Sequence, residues 1–242
     1  MKKLIVSLGL ALTLSFGATL DEGVEAANKG DYKTALTVFE ELASKNDADA
    51  QYNLGFLYYN GQGVKQDYKK AIEWYEKAAA QGFAAAQYNL GIMYDNGKGV
   101  KQDYKKAIEW YEKAAAQDDA KAQYNLGVFY ANGEGVKQDY LKAKELYEKA
   151  AAQGYAKAQY NLGVFYDFGR GVKQDYFKAK EWYEKAAAQS NANAQYNLGV
   201  LYGNGQGVKQ DFKKAKEWFG KACDGGEQMG CDNYKLLNQK GY

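Results

Sequence analysis

The residues of this chain whose type and spacing could do chemistry are tyrosines and asparagines. Tyr52, Tyr88, Tyr124, Tyr160 and Tyr196 recur 36 residues apart, and each is followed by an asparagine, from Asn53 through Asn89, Asn125 and Asn161 to Asn197. A phenol is a large, fairly rigid apolar body with one polar tip, and a primary amide both donates and accepts. A ladder of such pairs suits recognition of a peptide or another protein. It equally suits a plainer role, with rings and amides tying one repeat to the next. An asparagine that is the same in every copy favours the structural role for the amides. Lys121 and Lys157, one repeat apart, could meet an acidic segment or a C-terminal carboxylate. The candidate binding set is therefore Tyr52, Tyr88, Tyr124, Tyr160 and Tyr196 with Asn89, Asn125, Asn161, Lys121 and Lys157.

Other chemistry is missing. The chain has no histidine, which removes the commonest general base, every histidine-dependent triad and the usual zinc-hydrolase ligands. Beyond the first 18 residues, serine occurs only as Ser44 and Ser190, and neither opens an S-x-x-K box. Five G-x-G-V stretches, beginning with Gly61-Gln62-Gly63-Val64, have no strand before them and read as interhelical loops rather than nucleotide cradles. Asp95-Asn96-Gly97-Lys98-Gly99 faintly echoes a calcium loop, without its ligand series or closing glutamate. Glu73, Glu76, Glu109 and Glu112 stand beside Lys77 and Lys113 as a solvated, ion-paired face would. No catalytic residue, metal or cofactor is expected. The 32 basic and 30 acidic residues nearly balance, and they balance fully without Lys2 and Lys3. A chain that must release counterions from DNA or RNA is normally distinctly basic, so nucleic acid is not an expected partner.

The elements that position these side chains follow from the period. AQYNLG returns at Ala50, Ala86, Ala122, Ala158 and Ala194, and GVKQD keeps step with it. Self-similarity at this length marks a stacked repeat array. Five copies are expected, at 48–83, 84–119, 120–155, 156–191 and 192–227, each of two helices. In the first copy, helix A should run from Ala48 to Asn60, with Gly61 ending it in a left-handed conformation. Asp67 should cap helix B, which buries Tyr68, Ala71, Ile72, Tyr75 and Ala79. Gly55 and its copies lie inside helix A, where glycine costs about 1 kcal/mol against alanine. Close approach to an alanine of helix B, Gly55 on Ala71 and Gly91 on Ala107, is the expected compensation.

Residues 1–18 read as a secretory signal: Lys2 and Lys3, then an apolar run from Leu4 to Phe16, with cleavage after Gly17 or Ala18. Residues 19–47 form a degenerate first repeat, and 228–242 a C-terminal capping helix. No membrane span is expected after cleavage. Both cysteines, Cys223 and Cys231, lie at this end, and in an exported chain the pair reads as a disulfide.

The pattern A-x-A-Q-Y-N-L-G-x-x-Y, followed by G-x-G-V-x-x-D-[YF]-x-K-A-x-E-W-[YF]-x-K-A-A, resembles the Sel1-like repeat, a longer-loop relative of the tetratricopeptide repeat, over residues 48–227. The resemblance implies an all-α fold, an α/α solenoid of right-handed superhelical form, and an adaptor that holds proteins or peptides in a concave groove lined by helix A. The leader and the Cys223/Cys231 pair also resemble the secreted Helicobacter cysteine-rich branch, although the pair occurs here once rather than in every repeat. That branch implies β-lactam binding or hydrolysis, for which this chain has no matching serine or histidine motif. The expectation is an exported, periplasmic or secreted scaffold for a protein or peptide partner in the cell envelope or outside the cell. A β-lactam, peptidoglycan or another glycan is the alternative ligand.

Overall fold

A computed structural model describes residues 18–242. The expected leader lies outside these residues apart from Ala18. Among the described residues every regular element is helical, and the thirteen helices form a tandem helix-turn-helix α/α solenoid. The chain divides into two compact units, one ending at Trp74 and one spanning Tyr75–Tyr242.

The first unit holds α1 (Leu20–Asn28), α2 (Tyr32–Ser44), α3 (Ala48–Asn60) and the opening of α4 (Tyr68–Ala80). Thr19 and Glu22 form a reciprocal capping box at the start of α1. Ala35, Phe39, Ala43, Ala50, Leu54 and Leu57 are buried together as its core.

The second unit continues through α5 (Ala84–Asn96), α6 (Tyr104–Ala115), α7 (Ala120–Asn132), α8 (Tyr140–Ala152), α9 (Ala156–Phe168), α10 (Tyr176–Ala187), α11 (Ala192–Asn204), α12 (Phe212–Asp224) and α13 (Gln228–Gln239). Each helix B opens on an aspartate whose carboxylate accepts orphan amides, as Asp103 does from Lys106 N–H at 3.1 Å and Asp139 from Lys142 N–H at 3.0 Å. Each helix A ends at a left-handed glycine, Gly133 for α7 with φ 75°. The start of helix B is tied back to helix A by Asp139 N–H donating to Tyr130 C=O at 2.8 Å.

The core passes through the repeats rather than standing inside each one. Ala143, Tyr147, Ala150 and Ala151 of α8 are buried with Ala158, Leu162 and Phe165 of α9, so helix B of one copy shares its apolar surface with helix A of the next. Buried glutamines run along the same seam. Gln117 Nε2 donates to Gln87 Oε1 at 2.8 Å, Gln153 to Gln123 at 3.0 Å and Gln189 to Gln159 at 2.9 Å. The glutamine of helix A in turn donates to a carbonyl at the end of the preceding helix B, as Gln159 does to Ala151 C=O at 3.3 Å. A buried amide left unpaired would cost about 1–3 kcal/mol, so a hydrogen-bonded glutamine in every copy also helps fix the register of stacking.

The glycine of helix A is explained differently from expectation. A Cβ on Gly91 would sit 2.6 Å from the ring of Tyr111, and one on Gly127 2.7 Å from Tyr147. The first obstacle is the helix-B tyrosine rather than the alanine, although at Gly127 the Ala143 carbonyl oxygen stands next, at 3.3 Å. The loop glycine Gly171, at φ 65°, would put a Cβ 2.6 Å from Cβ of Tyr140 in the preceding repeat. This second glycine of G-x-G thus serves repeat stacking, which accounts for the motif without a phosphate.

Cys223 and Cys231 are joined by a disulfide with their Cα atoms 4.5 Å apart, linking α12 to α13.

Candidate recognition face on the second unit

The helix-A residues that are not spent on the core fall on one side of each helix. In α7, Ala122, Gln123, Leu126, Gly127 and Phe129 are buried. Lys121 is exposed, and Tyr124, Asn125, Val128 and Ala131 are partly exposed. These four lie at helical spacing from Lys121 and make a continuous strip. The same strip recurs on α5, α9 and α11 with Tyr88, Tyr160 and Tyr196 at its middle, all half-buried.

The tyrosines do not stand free. Tyr88 packs against Tyr111 with ring centroids 5.8 Å apart, Tyr124 against Tyr147 at 5.8 Å, Tyr160 against Tyr183 at 5.9 Å and Tyr196 against Phe219 at 5.6 Å. Each helix-A ring is thereby packed on a buried helix-B ring of its own repeat and remains partly exposed. Tyr124 also meets Tyr155, which precedes α9, at 5.2 Å. Burial raises the Tyr88, Tyr124 and Tyr160 hydroxyls above the ordinary phenol value, while the asparagine of the next copy (Asn125, Asn161 and Asn197 in turn) acts in the opposite sense. Asn125 and Asn161 therefore reach back from one repeat to the ladder tyrosine of the repeat before it, and they also stand against the buried Tyr111 and Tyr147 hydroxyls.

Beneath the ladder is a polar layer that spacing did not reveal. Tyr183 Oη donates to Asp167 Oδ2 at 2.9 Å. Burial pushes the Asp167 carboxyl up from its usual range, against the opposing effect of that bond. Asp95, at the same position two copies earlier, is raised by burial and then by Glu134. Tyr111 Oη is buried between Asp95 and Asn125. In the last copy the acceptor and the hydroxyl are both gone, with Gly203 and Phe219 in their places. The third copy keeps the hydroxyl of Tyr147 but has Ala131 in place of the acceptor, so the layer belongs to the second and fourth copies.

Lys121 and Lys157 each sit one turn before a ladder tyrosine, at the open start of helix A. Tyr52 and Asn53 hold the matching positions on α3 of the first unit, where Asn53 Nδ2 donates back to Asp49 C=O at 2.9 Å. Asn89 is half-buried on α5. Among the described residues no group of histidine, cysteine or acidic side chains could hold a metal ion. No helix among them is long and apolar enough to cross a membrane.

The family model for the Sel1 repeat matches residues 48–83, 84–119, 120–155, 156–191 and 192–227. Among solved structures, a Sel1 repeat protein from Oxalobacter formigenes is 39% identical, with 88% of this chain and 86% of that one covered and a TM-score of 0.81. A protective antigen present in uropathogenic Escherichia coli strains, displaying an SLR fold, is 33% identical with a TM-score of 0.86. That match covers 92% of this chain but 49% of the antigen. A putative Sel1 repeat protein from Klebsiella pneumoniae is 27% identical over 83% of this chain and 97% of its own, with a TM-score of 0.52. No curated protein matches the chain.

Proposed function

Because the chain belongs to the Sel1 repeat family, we propose that it is a non-enzymatic scaffold whose helix-A face in the second unit engages an extended peptide segment of another protein. The observation that carries this reading is the packed ladder: Tyr88, Tyr124, Tyr160 and Tyr196 are each held by a second aromatic ring and are still partly exposed. Side chains already ordered before binding lose little entropy on contact, which favours affinity. The residues that differ between copies lie on either side of the ladder. Ala85, Lys121, Lys157 and Asn193 occupy one row, and Asp95, Ala131, Asp167 and Gly203 the other. The ladder would supply a common floor and these rows the specificity, with Lys121 and Lys157 meeting acidic groups or a C-terminal carboxylate.

The disulfide supports a place outside the cytoplasm, where such bonds persist. It fits export by the N-terminal leader to the periplasm or beyond. The test is a peptide-display selection against the 18–242 chain, repeated with Lys121→Glu/Lys157→Glu. Enriched peptides that bind the parent and lose the double variant, with helicity unchanged by circular dichroism, support the reading. Peptides that hold both equally would remove the lysines from the site. A selection without enrichment would overturn a peptide-binding role and turn attention to a glycan or a β-lactam, for which nitrocefin turnover is the direct assay.

A further inference from the structure

The copies part company at a second place. Helix A closes on asparagine at Asn60, Asn96, Asn132 and Asn204, but on Phe168 in the fourth copy. The second residue of helix B is Lys69, Lys105 or Lys213 in three copies, but Leu141 in the third and Phe177 in the fourth. Phe177, Phe168 and Leu141 are also the most exposed large hydrophobics of the described chain, at 71%, 65% and 63%.

Two of the three stand at the two ends of one loop. Asp175 N–H donates to Tyr166 C=O at 2.8 Å and Gln174 Nε2 to Asp167 C=O at 2.6 Å, so the end of α9 and the start of α10 are clamped. Phe168 and Phe177 therefore flank one loop edge, and Leu141 holds the position of Phe177 one repeat earlier. A cleft of ~640 Å³ opens there, lined by Tyr166, Val172, Lys173, Tyr176, Phe177 and Lys178 among others. The matching cleft of the second copy, ~500 Å³, has Lys101 and Lys106 at the corresponding places. That copy carries Lys105 where the fourth has Phe177.

Cations outnumber carboxylates at the fourth-copy edge, with Arg170, Lys173 and Lys178 against Asp167 and Asp175. Arg170 lies 5.7 Å from the Phe168 ring centroid and Lys178 5.3 Å from that of Tyr166. Asp175 caps α10 by accepting from Phe177 and Lys178 N–H at 3.1 Å each and pairs with Lys178 Nζ at 3.9 Å, while the Asp167 carboxylate is held by Tyr183 Oη, which leaves Arg170 and Lys173 as the cations outside these pairs. An exposed apolar pair in a cationic rim, confined to one copy and its neighbour, does nothing for stacking, which the other copies achieve with asparagine and lysine. Contiguous apolar surface rimmed by charge marks interaction sites, and complementarity sets the sign of the partner.

We infer that the loop edge of the fourth repeat is a second docking surface, separate from the helix-A face, for an acidic segment of a partner protein that carries an aromatic anchor. The probes are a labelled random copolymer of glutamate and tyrosine and, as control, polyglutamate, each titrated against the 18–242 chain by fluorescence anisotropy. The copolymer should bind about tenfold tighter than polyglutamate, as removal of a buried aromatic anchor typically costs. Phe168→Asn/Phe177→Lys restores residues that other copies already tolerate, so it folds, and it should erase that preference. Lys121→Glu/Lys157→Glu should leave the preference intact, which separates this surface from the helix-A face. Equal binding of the two polymers, or a preference unchanged in the phenylalanine variant, would overturn the inference. So would sedimentation showing a dimer that this variant dissolves, since the edge would then belong to a second copy of the chain.

Discussion

Along the helix-A face every copy of the second unit sets a tyrosine and an asparagine at the same place, whereas along the loop edge the fourth copy departs from the rest at Phe168, Arg170 and Phe177. The two regions are built on different physics. The ladder residues are half-buried and each ring is held by a helix-B aromatic, so they contribute to folding as well as to any contact. The loop-edge phenylalanines are mostly exposed, so they should contribute little to folding. Sameness between copies therefore marks what stacking needs, and difference marks what a partner can read. On the helix-A face the two are interleaved, with Lys121, Lys157, Asp95 and Asp167 as the variable positions beside an unchanging floor.

The largest effect that would sharpen this contrast is removal of the floor. Tyr147→Ala deletes a buried ring that holds Tyr124 and packs with Phe165 at 5.4 Å. It should cost about 3–5 kcal/mol, read by urea denaturation. A smaller loss is expected from Gly127→Ala, whose Cβ would intrude on the same ring. Overpacking of this kind costs about 1–3 kcal/mol, and a change near the intrinsic helix preference of alanine, which is stabilising, would show that the ring yields freely.

Asp167→Asn should move stability the other way. Burial raises the folded-state pKa of this carboxyl above its unfolded value. Its stabilising contribution is therefore complete below the unfolded pKa and is lost as pH rises through the folded one. At neutral pH the ionised group is a burden, and asparagine keeps a carbonyl oxygen to accept from Tyr183. The variant should melt higher than the parent at pH 7, with the gap closing as the pH is lowered toward 4. The smallest effect belongs to the loop edge: Phe168→Asn/Phe177→Lys should shift stability by no more than about 0.5 kcal/mol, as surface changes usually do. A large loss there would mean that the two regions are not distinct in kind.

Much of the fold was legible because it is local. The span Ala48–Asn60, the left-handed Gly61 and the capping role of Asp67 all follow from residues within one turn of each helix end. What escaped is what needs rotation in space. Gly91 was matched with Ala107, but the side chain that fills its notch is Tyr111, one helical turn further on. The Gln87–Gln117 bond joins residues 30 apart in the chain and leaves no periodic signal beyond the repeat itself. The Asp167–Tyr183 pair leaves no consistent signal, because the third copy keeps Tyr147 while Ala131 replaces the acceptor. Phe168 stands in a row otherwise filled by asparagine, and its exposure depends on where the end of α9 lies in space, which the period does not encode.

The most direct test of the account is the dissociation constant of one display-selected peptide for three proteins: the parent 18–242 chain, Lys121→Glu/Lys157→Glu and Phe168→Asn/Phe177→Lys. The account predicts loss of affinity with the lysine variant alone. Undiminished binding to the lysine variant, with the loss falling instead on the phenylalanine variant, would contradict it and move peptide recognition to the loop edge.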